Sequence, residues 1–256
     1  MSVILEAKNV SKHYGAYRAL QDVSLSFSEG ETVAIVGPNG AGKTTLVNVL
    51  TGLLKPTHGD VLFRGTSIAG VGPVRLAKLG MSRAFQLVHI FPELTVFEAI
   101  ASAVVSQQGR NFDFWSRASS IGPVRARVVE VAKIFALDRR LDWLASYLSQ
   151  GEKKLLDIAS AFALNPQVIL LDEPTSGISS SDKRALMDTL MDAARTVGIK
   201  TLLLVEHDMD LVAEYSSRIV ALTEGRVLAD LPPAEFFADP ELAAAIVGKP
   251  PTHAKA

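Results

Sequence analysis

Residues 3–9 and 22–27 alternate apolar and polar side chains, the two-residue period of half-exposed strands in an antiparallel sheet. Glu29-Gly30-Glu31 turns the chain into Thr32–Val36, a short apolar run rich in β-branched residues that reads as a buried strand. After Thr44, the residues Leu46, Val49, Leu50 and Leu53 recur at three- and four-residue steps and predict a helix. Residues 55–60 form a turn, and Val61–Phe63 followed by Arg64-Gly65 predicts a further hairpin strand. Met81–Gln86 reads as a short strand ending in a glutamine.

The pattern then changes. Residues 93–106 read as a helix with Val96, Ala99, Ile100 and Val104 on one face. Residues 107–121 are irregular and carry Phe112, Phe114 and Trp115, which either cover a local core or form an exposed docking patch. Val124–Leu137 is helical along a Val128, Val131, Ala132, Phe135 stripe, and a second helix runs from about Glu152 to Ala163. Strands return at Val168–Leu171, Thr201–Val205 and Ile219–Leu222. They alternate with an amphipathic helix over 182–197 closed by Gly198, a helix over 208–216, and a mostly helical stretch over 233–247. The expectation is one domain over 1–247, with 1–86 and 164–247 as an α/β core, 87–163 as a helical insertion and 248–256 as a flexible tail.

Composition narrows the class. At 256 residues and 48% hydrophobic, the chain can bury a large core. A formal charge of −1 gives no reason to expect nucleic acid as a partner. Without cysteine there are no disulfides, thiolate zinc sites or cysteine nucleophiles, which is compatible with a reducing cytosol. No apolar stretch approaches the ~20 residues that cross a bilayer, and the first residues lack a basic segment followed by an apolar one, so no signal peptide is expected.

The strand at Thr32–Val36 and the helix after Thr44 flank Gly37-Pro38-Asn39-Gly40-Ala41-Gly42-Lys43-Thr44, a match to the phosphate-loop pattern G-x-x-x-x-G-K-[ST]. Its glycines let successive N–H groups turn toward one point, and the helix start adds unsatisfied N–H groups and a positive dipole end. Lys43 reaches outer phosphates in this pattern, and the Thr44 hydroxyl ligates Mg²⁺. Asp172-Glu173 ends an apolar strand that Pro174 prevents from continuing. Asp172 at that strand tip can hold Mg²⁺ through water, while alternation turns Glu173 elsewhere to orient or deprotonate a water. Leu148-Ser149-Gln150-Gly151-Glu152-Lys153-Lys154 has capping-box spacing and forms either a second anion site or an ordinary capped helix start. His207 follows a strand end, as a phosphate contact or a polar loop residue, and Tyr14 packs on a sheet edge or offers a platform to a nucleotide base.

Together these residues resemble the ATP-binding cassette (ABC) ATPases, over nearly the whole chain and in the expected order. Residues 37–44 look like Walker A, Gln86 like the Q-loop glutamine, and Val168–Glu173 like Walker B with the catalytic glutamate. Leu148–Glu152 is similar to the signature L-S-G-G-Q with Gln150 and Glu152 substituted, and His207 occupies the switch-histidine position. The resemblance implies a P-loop NTPase (RecA-like) α/β core sheet with an antiparallel β subdomain and an inserted α-helical subdomain. It implies ATP held by Tyr14, Gly37, Pro38, Asn39, Gly40, Ala41, Gly42, Lys43, Thr44 and Thr45, with Mg²⁺ on Thr44, Gln86 and Asp172. Glu173, His207, Gln86 and Lys43 would serve catalysis, and Ser149, Gln150, Gly151 and Glu152 would act on the ATP of a second subunit. Ser179 stands where the D-loop often carries aspartate or asparagine, which bears on communication between subunits.

A finer resemblance, through Val205–Met209, Gln86–Pro92 and the loop at 107–121, is to the ATPases of branched-chain amino acid importers. Lipopolysaccharide-export ATPases are the nearest competitor, and a soluble P-loop kinase is a further alternative. The importer reading implies a second ATPase subunit (self or paralogue), membrane permease subunits and, indirectly, a solute-binding protein. It places the chain at the cytoplasmic face of the membrane, without contact to the transported solute.

Overall fold

The computed structural model describes residues 2–84, 91–107 and 122–247. The chain divides into two compact units, one holding residues up to Leu76, Leu170–Glu173 and those from Lys200 on, the other Ala77–Ile169 and Pro174–Ile199.

In the first unit, β1 (Val3–Tyr14) and β2 (Tyr17–Ser28) form a long hairpin whose last pair is Tyr14 with Tyr17. Both strands run further than their alternation predicts, because register shifts at Ala7/Val10 and around Lys12 interrupt the two-residue period without ending the ladder. β3 (Thr32–Val36) is buried from Val33 onward. α1 (Lys43–Leu50) starts directly after Gly42. Leu53, counted into this helix from its spacing, lies beyond it and is 43% exposed. The reason is Gly52, which adopts φ +68 one residue past the Thr51 cap and stops the helix. β4 (His58–Phe63) and β5 (Thr66–Ser67) meet through the left-handed pair Arg64-Gly65 and complete an antiparallel sheet of order β2-β1-β4-β5. α2 (Pro73–Leu79), seven residues long, is too short for its period to stand out in the sequence.

The second unit carries β6 (Met81–Ala84), α3 (Val96–Gln107), α4 (Gly122–Ile134) and α5 (Gln150–Ala163). Gln86, the residues 107–121 beyond Gln107, and the tail 248–256 fall outside the described residues. α3 begins three residues later than its apolar spacing predicts, since Thr95 and Glu98 cap it reciprocally: Thr95 N donates to Glu98 Oε2 at 2.8 Å and Glu98 N to Thr95 Oγ1 at 3.2 Å. α4 ends before Leu137, where Ala136 takes φ +54. Ile100, Val128, Val131, Leu156 and Phe162 are fully buried here, and Phe135 meets Phe162 edge-on at 5.2 Å. β7 (Val168–Asp172) begins in this unit beside β6 and ends in the first, beside the next strand. α6 (Ser180–Val197) closes on Gly198, whose N–H returns to Ala194 O at 3.1 Å.

The first unit resumes with β8 (Thr201–Val205), α7 (Met209–Tyr215), β9 (Arg218–Thr223), β10 (Arg226–Leu231), α8 (Pro233–Ala238) and α9 (Pro240–Val247). Its second sheet has the order β10-β9-β3-β8-β7, with β3 parallel to both neighbours. β10 escapes sequence reading because it is a sheet edge whose side chains are only half-buried or exposed. Asp239 and Pro240 split the helical stretch over 233–247 in two. With β3 central, the carboxyl ends of β3, β7 and β8 share one edge, the usual ligand edge of such sheets.

Candidate active site

Where β3 ends, the loop at 37–42 carries the chain into α1. Gly37 and Gly42 take φ +151 and +102, and a Cβ would lie 2.3 Å from Leu222 O at Gly37 and 2.6 Å from Ala19 O at Gly42. Only glycine fits either place. Gly42 is also the N-cap of α1 and supplies no side-chain cap, and the first turn holds no acidic residue. The first N–H groups of α1 therefore stay available to an external acceptor, at the positive end of the helix. Pro38, Asn39 and Gly40 are exposed, Ala41 is buried, Thr44 is exposed and Thr45 is half-buried. The loop is stapled from behind: Gly225 N donates to Ala41 O at 3.0 Å, and Gly225 O accepts from Gln21 N at 2.8 Å.

Lys43 is buried, and its ammonium donates to Gly37 O at 2.7 Å and Pro38 O at 3.1 Å. Burial lowers its pKa below the ordinary lysine value, against the opposing pull of Glu173 and Asp172. Both carboxylates thus act on the loop electrostatically. Asp172, the last residue of β7, is buried. Glu173 does not continue the strand, so alternation is not what directs it; it sits in the left-handed region at φ +49, with its N–H on Val205 O at 2.9 Å. From there its carboxylate reaches His207, 2.7 Å from Nε2 to Oε1. Lys43, Asp172, Glu173 and His207 accordingly belong to one corner of the first unit.

Tyr14 ends β1 half-exposed, with Lys12 Nζ 5.3 Å from its ring centre. Tyr17, which sequence reading passed over, brings its hydroxyl 3.5 Å from Gly40 O. Its signal lay in the hairpin register, since Tyr17 faces Tyr14 across a two-residue turn.

In the second unit Ser149 caps α5. Glu152 N donates to Ser149 Oγ at 3.3 Å and Ser149 N to Glu152 Oε2 at 2.9 Å, a complete capping box. The other carboxylate oxygen of Glu152 takes Arg140 Nε at 2.5 Å, an ion pair invisible to local spacing. Partial burial raises the Glu152 pKa, but the Ser149 hydrogen bonds and Arg140 outweigh it and hold the carboxyl below its ordinary value. Gln150 opens α5, and a Cβ on Gly151 would touch only Ile178 at 3.8 Å. Ser179 caps α6 by position, its hydroxyl donating to Asp182 Oδ2 at 2.7 Å.

A phosphate loop at the carboxyl edge of a parallel sheet, faced by a strand-end Asp-Glu pair and a histidine, defines a P-loop nucleoside triphosphatase. The family described as ABC transporter matches residues 20–176. The chain is 34% identical over 258 residues to the high-affinity branched-chain amino acid transport ATP-binding protein LivG of Salmonella typhimurium, covering 96% of this chain and 98% of the relative. It is 31% identical over 261 residues to BraF of Pseudomonas aeruginosa, named for the same transport, with the same coverage. Among solved structures, an ATP-binding cassette of an ABC transporter in its ADP conformation superimposes with a TM-score of 0.81 at 27% identity, covering 97% of this chain and all of that one. A dimeric cassette in a post-hydrolysis state, bound to ADP and Pi, gives 0.77 at 29% identity over 90% of this chain and 98% of its own. The chain belongs to the ABC transporter family, as one of its ATP-hydrolysing cassettes.

Proposed function

We propose that this chain is the ATPase subunit of an importer for branched-chain amino acids or chemically related small solutes. The observation that carries this reading is end-to-end similarity, 31–34% over 96% of the chain, to proteins named for that transport. Two copies, or this chain and a paralogue, sandwich two ATP molecules head to tail, consistent with the dimeric cassette that resembles it. The helical subdomain over 87–163, with Gln86 and the segment after it, faces the permease subunits. Through them the chain sits peripherally on the cytoplasmic face of the membrane; among the described residues no helix is long and apolar enough to cross one.

ATP lies with its base against Tyr14 and its phosphates on the amides of residues 37–45. Lys43 swings from the Gly37 and Pro38 carbonyls to the outer phosphates. The Thr44 hydroxyl and the Asp172 carboxylate are hard oxygen donors of the kind Mg²⁺ takes, with Gln86 as a third; the ion would neutralise charge on the β- and γ-phosphates. Glu173 orients a water in line with the γ-phosphorus and accepts its proton. The new P–O bond forms as the bond to ADP breaks, releasing ADP and inorganic phosphate. His207 holds the Glu173 carboxylate through the 2.7 Å contact. Ser149, Gln150 and Gly151 of the second copy complete the grip on the γ-phosphate, from a helix start that Glu152 caps.

Glu173→Gln tests the reading. It should bind ATP like the parent, lose about 10²–10⁴-fold in turnover, and accumulate an ATP-bound dimer on a sizing column. Hydrolysis at the parent rate would remove Glu173 from the chemistry.

A further inference from the structure

Glu152 poses an electrostatic problem at the site just described. It lies in the first turn of α5, where a carboxylate complements the positive helix end and so reduces the potential available to an incoming phosphate. The family signature, in the resemblance drawn above, has a neutral glutamine there. Here both carboxylate oxygens are engaged: Oε2 accepts from Ser149 N, and Oε1 pairs with Arg140 Nε. In the capping box Ser149 Oγ acts as acceptor from Glu152 N, so the box itself does not use the serine's own O–H donor.

Arg140 is itself firmly placed. It closes a short turn over Asp138–Arg140, its N–H bonds Leu137 O at 3.0 Å, and its guanidinium carbon lies 4.4 Å from the centre of the Trp143 ring. Trp143 N donates to Arg140 O at 2.9 Å, and Trp143 O accepts from Val96 N at the start of α3 at 2.9 Å. The arginine thus comes from a braced segment, not from a free surface side chain. A glutamine at 152 could close the same capping box without any cation. The pair Arg140–Glu152 therefore presents the cap geometry of glutamine with the same net charge, zero.

We infer that Arg140 is a positioning residue whose guanidinium cancels the charge of Glu152, so that the Ser149-capped start of α5 can close on the triphosphate held by a second copy. The inference rests on the head-to-tail dimer proposed above. Its test uses the full chain carrying Glu173→Gln, with the ATP concentration for half-maximal dimerisation read by analytical ultracentrifugation. Adding Arg140→Met should raise that concentration roughly tenfold at low salt, the effect of one uncompensated charge within several ångströms of a phosphate. The shift should shrink at 0.5 M salt. Arg140→Lys should stay within about twofold of the parent, and so should the double variant Arg140→Met/Glu152→Gln, in which positions 140 and 152 again sum to zero charge. Thermal melts verify folding, and Arg140→Gln replaces the Met variant if that one fails to fold.

An unchanged concentration in Arg140→Met overturns the inference. So does a double variant that stays shifted from the parent, or an Arg140→Lys variant shifted as much as Arg140→Met, since a purely structural brace would behave that way. If the Glu173→Gln chain binds ATP in a filter assay yet never dimerises, the dimer reading falls and takes this inference with it.

Discussion

Lys43 stands between opposed influences: burial disfavours its charge, and the carboxylates of Glu173 and Asp172 sustain it. A cation kept charged in a partly desolvated loop is a strong partner for phosphate oxygens. Lys43→Ala should therefore weaken ATP binding by about two orders of magnitude, the loss of one or two charge-assisted hydrogen bonds, with little change in melting temperature. Calorimetric titration against the parent checks it; equal affinity would remove the phosphate-loop assignment. Lys43, Asp172 and Glu173 could be singled out from strand ends and a local motif, while His207 stood open on spacing and was singled out only by the family resemblance. Neither route singled out Tyr17 or Arg140. Their partners, Gly40 in the phosphate loop and Glu152 beyond a turn, are fixed by packing between segments that no local spacing encodes. The basis for orienting Glu173 does not hold, for a related reason: alternation applies only inside a strand, and β7 stops at Asp172.

At the scale of elements, terminators decided what could be read. Helices α5 and α6 were recovered closely because Ser149 and Gly198 announce an end chemically. α1 was overextended to Leu53, since an apolar period says nothing about the left-handed Gly52 that interrupts it. α3 carries its own start signal in Thr95 and Glu98, which apolar spacing overlooks. The α5 cap also carries a pH signature. Glu152 has its folded pKa below its ordinary value of 4.5, so its ionised form stabilises the fold above that pH. The contribution fades as pH falls through the lower, folded value. Against Glu152→Gln, the parent should be more stable at pH 7 by about 0.5–1 kcal/mol, the range of a partly exposed ion pair. The difference should vanish in acid. Urea midpoints of both chains from pH 7 to pH 3 measure this, and a gap that widens in acid would contradict the assigned cause.

For the whole molecule, the peripheral placement proposed above assigns membrane attachment to the permease subunits; among the described residues no helix is long and apolar enough to cross a membrane. Expressed alone, the chain should stay in the supernatant when vesicles are sedimented. Expressed with the permease subunits of its importer, it should pellet with them. The fold class was plain from the alternation of strands and helices around one phosphate loop, but the antiparallel edge at β10 was not, because the exposed Leu228 breaks the apolar–polar alternation of a half-buried strand.

One small junction couples distant parts of the first unit. Gly225, at φ +75, leaves 2.7 Å between an imagined Cβ and Ala19 O, while its own amide and carbonyl tie Ala41 to Gln21. A rivet of that kind makes the hairpin bearing Tyr14 and the cradle for phosphate a single jaw: loosening it at the back opens it at the front. Gly225→Ala, at a residue outside the nucleotide contacts proposed above, should therefore cost about tenfold in ATP affinity, the order of one strained backbone position.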